Sequence, residues 1–180
     1  MVLVRLAPRA SLLVVVRAAT LADHAGELGF PGGKPLVGEA LSRAALRELE
    51  EELGIRAADV ELVGQLTPIP VVTGKYLITP FVAVMRDGVE PRITTAELVE
   101  LIEVPVDPFL DGAAPIFGFF TDFRGAPFLL PHFRLGPRVL FGASAVILFE
   151  LLARLAREVG ATLPELTVEH DRPWGTRYPP

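Results

Sequence analysis

Phe30-Pro31-Gly32-Gly33-Lys34-Pro35, then Glu39, then Arg47-Glu48-Leu49-Glu50-Glu51-Glu52-Leu53-Gly54-Ile55: the reading of this chain turns on that stretch. Its first part is a loop, because no helix or strand interior tolerates prolines on both sides of paired glycines. Its second part is an acid-loaded helix. The helix is expected to begin near Gly38-Glu39 and to stop at Gly54, a residue suited to the left-handed turn that ends helices. On a wheel of about 100° per residue, Leu46, Leu49 and Leu53 fall on one side. Glu48, Glu51 and Glu52 are related by steps of three and four residues and share another side. Arg47, four residues before Glu51, can brace it. Carboxylates crowded on one helical face repel one another, and a divalent cation removes that cost. Oxygen-rich sites suit Mg²⁺ or Mn²⁺, and Mg²⁺ is commonly shared between carboxylates and substrate phosphates. The plainer alternative is a solvated acidic face. It leaves the glycine loop, Glu39, Arg47 and Gly54 at their fixed distances without a reason.

The pattern Gly33-x5-Glu39-x7-Arg47-Glu48-Leu49-x-Glu51-Glu52-x-Gly54-Ile55 resembles a complete Nudix box. The resemblance implies a hydrolase that cleaves a diphosphate linked to another moiety. It implies an α/β (α+β) fold, the αβα sandwich of that family, with a mixed sheet between helices. By the same resemblance, Glu51 and Glu52 hold the metal, with the backbone carbonyl of Gly33 as a further ligand. Glu48 ligates metal or takes the proton from water. Arg47 orients the carboxylates, and Glu39 supports the loop–helix junction.

Composition agrees. A chain of 180 residues favours one domain and buries enough core to fold alone. Apolar residues make up 51%, and mean hydropathy is +0.44. The net charge of −5 carries no electrostatic footprint for nucleic acid. An acidic protein acting on anionic phosphates needs local cations, which bound metal supplies. Cysteine is absent, which excludes disulfides and thiolate metal sites. The apolar run Leu12 to Val16 is short and β-branched, and Arg17 ends it without a small-residue cleavage site. It reads as a buried strand and not as a targeting segment, which leaves the cytoplasm as the default location.

Arg17 to Phe30, together with Leu12-Leu13, resembles the signature that precedes the Nudix box in coenzyme A pyrophosphatases. Arg17, Leu21, His24-Ala25-Gly26, Glu27 and Phe30-Pro31-Gly32-Gly33 carry the likeness. Ala22 stands where that subfamily has a basic residue, and Val14 or Val15 where it has threonine. Arg17 contacts substrate phosphate or snorkels at a strand end. His24 contacts substrate or is a solvent-exposed loop histidine.

Beyond Gly54, Val60 to Leu66 alternates like a strand. A proline-rich loop follows, and Tyr76 to Met85 reads as one further strand. Lys75 and Tyr76 sit on a turn that can face a substrate; core packing is the other reading for Tyr76. Glu97 precedes a strand ending in Val104-Pro105, where Nudix enzymes often place a further acid for a second metal or a base. The alternative is a helix-start glutamate. Asp107 to Pro137 reads as irregular, with a hairpin at 118–123 and 126–130, and its phenylalanines either stack on a base or fill minor core.

Arg138 to Arg157 reads as the last long helix, too short in its uncharged part to span a bilayer. Phe141-Gly142 resembles the aromatic–glycine step of the pyrophosphatase subfamily, with phenylalanine for tryptophan. The small residues Gly142 to Ala145 permit close packing inside the domain or across a homodimer. Residues 164–180, with Trp174, read as a tail.

The expected partner is a small nucleotide diphosphate, with neither nucleic acid nor membrane. Coenzyme A or acyl-coenzyme A leads. ADP-ribose, NADH, a dinucleotide polyphosphate or a nucleoside triphosphate is the alternative, and a non-catalytic nucleotide-binding module the third reading.

Overall fold

The computed structural model describes residues 1–71, 76–123 and 125–171, and the chain forms two compact units, Met1–Pro105 and Val106–Pro180. The first unit contains β1 (Val2–Arg5), β2 (Ser11–Arg17), β3 (Leu28–Gly29), α1 (Leu41–Leu53), β4 (Val60–Gln65), β5 (Ile69–Pro70), β6 (Leu77–Ile78), β7 (Phe81–Met85) and β8 (Leu98–Pro105). The apolar beginning is thus two strands where the sequence suggested one. They pair antiparallel, Leu3 opposite Leu13, because Pro8 cannot continue a ladder and turns the chain.

The sheet is mixed. β1 runs parallel to β7, Leu3 opposite Ala83, and β7 runs antiparallel to β4. β8 lies along the whole length of β2, so β1 and β3 share the other edge of β2 in succession. The expected strand over 76–85 is interrupted. Pro80 lacks an N–H, and its carbonyl instead accepts from Leu66 N at 2.9 Å. β6 then pairs with β5 in a two-stranded ribbon, and β7 joins the main sheet.

The helix α1 lays Leu49 and Leu53, both fully buried, into a core with Leu3, Leu13, Val15 and Ala83. The predicted leucine face is therefore the packed one. Truncating either buried leucine to alanine costs about 2–5 kcal/mol by the usual cavity relation. The helix starts at Leu41, later than the sequence suggested. Gly38 lies at φ +78°, in the left-handed region. Glu39 closes a turn, its N–H donating to Leu36 O at 3.0 Å while its carboxylate accepts from Leu36 N at 2.8 Å. The C-terminal end falls at the predicted residue: Gly54 has φ +66°, and its N–H reaches Glu50 O at 2.9 Å.

The second unit contains α2 (Asp107–Leu110), β9 (Phe117–Phe123), β10 (Ala126–Leu135), β11 (Arg138–Leu140), α3 (Gly142–Glu158) and β12 (Thr167–Glu169). The stretch expected to be irregular is mostly a long hairpin of β9 and β10, with Phe117 opposite His132. Phe109 meets Phe133 edge to face, centroids 5.4 Å apart. The last helix begins at Gly142 and not at Arg138, because Arg138–Leu140 is drawn into a ladder with β10. Phe141 and Gly142 do stand at its opening. Part of the expected tail is also strand: β12 pairs parallel with β9, Glu169 opposite Phe119. Trp174 lies outside the described residues. Among those described, no helix is long and apolar enough to cross a membrane.

Candidate active site

The loop over 31–39 and the polar side of α1 meet in one network. Arg47 is its hub. Its Nε donates to Glu39 Oε1 at 3.0 Å and its Nη2 to Glu39 Oε2 at 3.1 Å, the two-pronged geometry that guanidinium and carboxylate favour. Nη2 also donates to Lys34 O at 3.1 Å. Nη1 donates to Glu48 Oε1 at 2.8 Å and to Glu51 Oε2 at 2.9 Å. Hydrogen bonds from Arg47 and from Leu36 N hold the Glu39 carboxyl below the usual carboxylate range. Bonds to Glu39 and Glu48 raise the Arg47 guanidinium in turn. Glu39 thus ties the loop to the helix through Arg47.

The two glycines of the loop serve different physical needs. Gly32 has φ +145°, a conformation that side chains disfavour, and its N–H donates to Glu52 Oε2 at 2.8 Å. Gly33 is closely approached by a side chain. A Cβ there would stand 2.4–2.5 Å from the carboxylate atoms of Glu48.

The three box acids do not share one environment, as the wheel suggested. Glu52 is buried at 8% exposure, whereas the Glu51 side chain is 57% exposed. Burial, with the nearby charge of Glu48 adding to it, pushes the Glu52 carboxyl up to about 7 against the pull of Gly32 N–H and Arg17. Among the described residues no three acidic or histidine side chains stand grouped closely enough to hold an ion. The donor chemistry nevertheless fits a hard divalent cation. The charge of Glu48 raises the cost of ionising Glu52, and the cradle at Gly33 is kept open for the Glu48 carboxylate.

A strand-linking segment closes the C-terminal end of the helix. Thr94 Oγ1 donates to Glu51 O at 2.5 Å. Thr94 N donates to Glu52 O, and Arg92 N to Leu53 O, both at 3.0 Å. The last carbonyls of a helix lack intrahelical partners, and this segment supplies them at Glu51 and Glu52. Nothing in the local sequence distinguishes Thr94 from any loop threonine. Glu97 follows on the same segment. It sits in the turn before β8 and not at a helix start; its carbonyl accepts from Ala18 N at 2.7 Å and its own N–H donates to Thr95 Oγ1. The segment therefore joins the end of α1 to the end of β2.

Arg17 ends β2 and exerts its charge on Glu52. His24 holds φ +58°, unusual for a residue with a side chain, and its Nδ1 meets Glu27 Oε2 at 3.0 Å. Tyr76 is 56% exposed, which overturns the core reading. Its ring lies 4.9 Å from Lys34 Nζ, a cation–π contact that links it to the glycine loop. Lys75 lies outside the described residues.

A family model described as the NUDIX domain matches residues 1–120 of the 180. The chain belongs to the Nudix family. Among its Nudix relatives, a protein of Photorhabdus laumondii named uncharacterized Nudix hydrolase NudL is 38% identical over 104 residues, 57% of this chain and 55% of that protein. The NudL of Escherichia coli strain K12 / DH10B is 38% identical over 100 residues, 55% of this chain and 52% of the relative. The match thus spans about half the length of these relatives. The Nudix hydrolase RenU of M. smegmatis has a similar structure, with a TM-score of 0.54 at 19% identity over 92% of this chain and 86% of that one. A binary complex of the C. elegans Ap4A hydrolase aligns with a TM-score of 0.50 at 18% identity over 59% of this chain and 77% of that one. These likenesses establish the α+β Nudix fold that the sequence suggested.

Proposed function

We propose that this Nudix domain is a metal-dependent diphosphatase, and that its substrate is coenzyme A or an acyl-coenzyme A, cleaved to 3',5'-adenosine bisphosphate and the (acyl-)4'-phosphopantetheine. The observation that carries the diphosphatase reading is the meeting of Glu48 and Glu52 under the glycine loop, with Arg47 holding Glu39, Glu48 and Glu51 around them. Glu48, Glu51, Glu52 and the Gly33 carbonyl would hold Mg²⁺ or Mn²⁺, with Glu97 available to a second ion. A bound cation of this kind neutralises phosphate charge, orients the diphosphate and acidifies water.

The chain's own residues do the rest. Arg47 fixes one oxygen of Glu48 and one of Glu51, so that neither carboxylate is free to rotate away. Gly32 N–H pins Glu52 Oε2 and aims its other oxygen. Hydrolysis places the water oxygen on one phosphorus and breaks that atom's bond to the bridging oxygen. The proton of the water passes to Glu48, whose carboxylate stands against the loop. Arg17, His24 and Tyr76 would contact the substrate, and Lys75 is assigned to the same role from its place in the sequence.

The coenzyme A choice is supported by the residues from Arg17 to Phe30, whose arginine exerts its charge on Glu52. Ala22 and Phe141 depart from that subfamily's pattern and favour a second reading, a pyrophosphatase for ADP-ribose, NADH, a dinucleotide polyphosphate or a nucleoside triphosphate. The deciding experiment incubates the protein with Mg²⁺ or Mn²⁺ and this panel, and resolves the products. Release of 3',5'-adenosine bisphosphate from coenzyme A, with the others inert, is the expected result. Turnover confined to another member refutes the coenzyme A assignment, and silence on the whole panel, with metal bound, favours the non-catalytic nucleotide-binding reading.

A further inference from the structure

The last turn of α1 carries Glu51 and Glu52, and its final carbonyls lie beyond the reach of the helix's own regular bonding. Each of them is satisfied. Gly54 N donates to Glu50 O at 2.9 Å. The next three carbonyls go to one short segment: Thr94 Oγ1 donates to Glu51 O at 2.5 Å, and Thr94 N and Arg92 N donate to Glu52 O and Leu53 O. Only the first of these three bonds comes from a side chain. It lies at the surface, where water is able to serve a carbonyl nearly as well. Stability alone therefore does not call for the hydroxyl.

The winding of the turn does. A helix end short of partners tightens into 3₁₀ geometry, in which a carbonyl takes the N–H three residues on. For Glu51 O that N–H belongs to Gly54, which is given to Glu50 O instead. By occupying Glu51 O, Thr94 leaves Gly54 N to the α bond. The difference matters for the acids. In an α-helix residues four apart stand about 40° apart around the axis, and in a 3₁₀-helix about 120°. Tightening would thus swing Glu52 away from Glu48. Burial of Leu53 fixes where the turn lies, and the carbonyl bonds fix how it is wound. The Thr94 methyl adds to the hold: its Cγ2 is 3.4 Å from where a Cβ on Gly54 would stand.

We infer that Thr94 is a positioning residue for the box acids. Its hydroxyl keeps the last turn of α1 in α winding, and so keeps Glu51 and Glu52 at the angle to Glu48 at which the three share one cation. The inference rests on the metal-dependent reading above.

Mn²⁺ titration calorimetry, at a temperature where every variant is folded, tests the role without turnover. Thr94→Val keeps the branched shape and exchanges the hydroxyl for a methyl. It is expected to bind Mn²⁺ about tenfold more weakly, the lower end for groups that support metal ligands, with the circular dichroism of the wild type. Thr94→Ser, which keeps the hydroxyl, should return the affinity to within about twofold. The pair Thr94→Ala and Thr94→Ser differs only in the hydroxyl and gives the same comparison if valine disturbs folding. A merely structural hydroxyl would lower the melting temperature and leave the affinity of the folded protein alone. Wild-type affinity in Thr94→Val, or no recovery with serine, therefore overturns the inference. Weakened Mn²⁺ binding in a protein inert on the panel above keeps the positioning role and removes the diphosphatase reading. Turnover by the wild type, with Mn²⁺ affinity unchanged in Thr94→Val, does the reverse, and a wild type that binds no Mn²⁺ overturns both.

Discussion

In the first unit one arginine, Arg47, answers to three carboxylates, Glu39, Glu48 and Glu51. In the second, one carboxylate, Glu169, answers to His132 and Arg134. Burial tends to raise the Glu169 carboxyl, but the bonds from His132 and Arg134 outweigh it and hold the group below its ordinary value. Phe117 stacks on His132 and carries Arg134 over its ring at 4.8 Å. That cluster ties β12 to the β9–β10 hairpin. The cluster on α1 is in surplus of negative charge, and its most buried acid, Glu52, is the one pushed upward. Carboxylates and their partners thus build a clasp where one acid meets two donors and a receptive site where acids outnumber the arginine.

The comparison breaks first at Glu52. Glu52→Gln keeps an acceptor for Gly32 N–H but removes the charge, so turnover should fall by about a hundredfold or more while circular dichroism stays that of the wild type. A fully active variant would remove Glu52 from the site. Gly33→Ala comes next. The atoms nearest the added Cβ are those of the Glu48 carboxylate, the far end of a flexible side chain, so the fold should survive while Glu48 is pushed from its Arg47 contact. Activity should drop about 10- to 100-fold, the usual effect of disturbing the support of a metal ligand. Loss of fold with loss of activity would point to a structural role instead.

Glu169→Gln probes the clasp. It leaves the buried His132 and the Arg134 guanidinium without their anion, and chemical denaturation should register a loss of about 1–3 kcal/mol, with diphosphatase activity within twofold of wild type. Because the folded carboxyl lies below its unfolded value, the stabilisation is present above that value and fades as pH falls through the folded one. Activity lost in step with stability would merge the two clusters into one functional unit.

The smallest effect concerns the metal-free protein. Glu52 is raised from 4.5 to about 7 on folding, so the folded state keeps a proton that the unfolded chain gives up, and stability falls as pH rises through that window. With a chelator present, the melting temperature of Glu52→Gln should exceed that of the wild type by more at about pH 8 than at about pH 5. Added Mg²⁺ should shrink the gap. A pH-independent gap would contradict the burial of a titrating carboxyl at this position.

What the sequence by itself determined is what lies within a few residues along the chain. The leucine face of α1, the Arg47–Glu51 brace and the stop at Gly54 follow from the angular step of a helix and from the conformational freedom of glycine. The glycine loop and the acids could be placed on adjoining elements for the same reason, and the family resemblance rests on that contiguous stretch. What only the tertiary structure decided depends on which distant segments arrive beside it. Burial distinguishes Glu52 from Glu51, though both lie on the polar side of one helix. Thr94 takes the carbonyl of Glu51 from 43 positions away. Tyr76 stands in solvent beside Lys34, and the residues around 168 become a strand because β9 offers them an edge. Spacing along a helix sets directions, but desolvation and strand pairing are set by neighbours that no local pattern names.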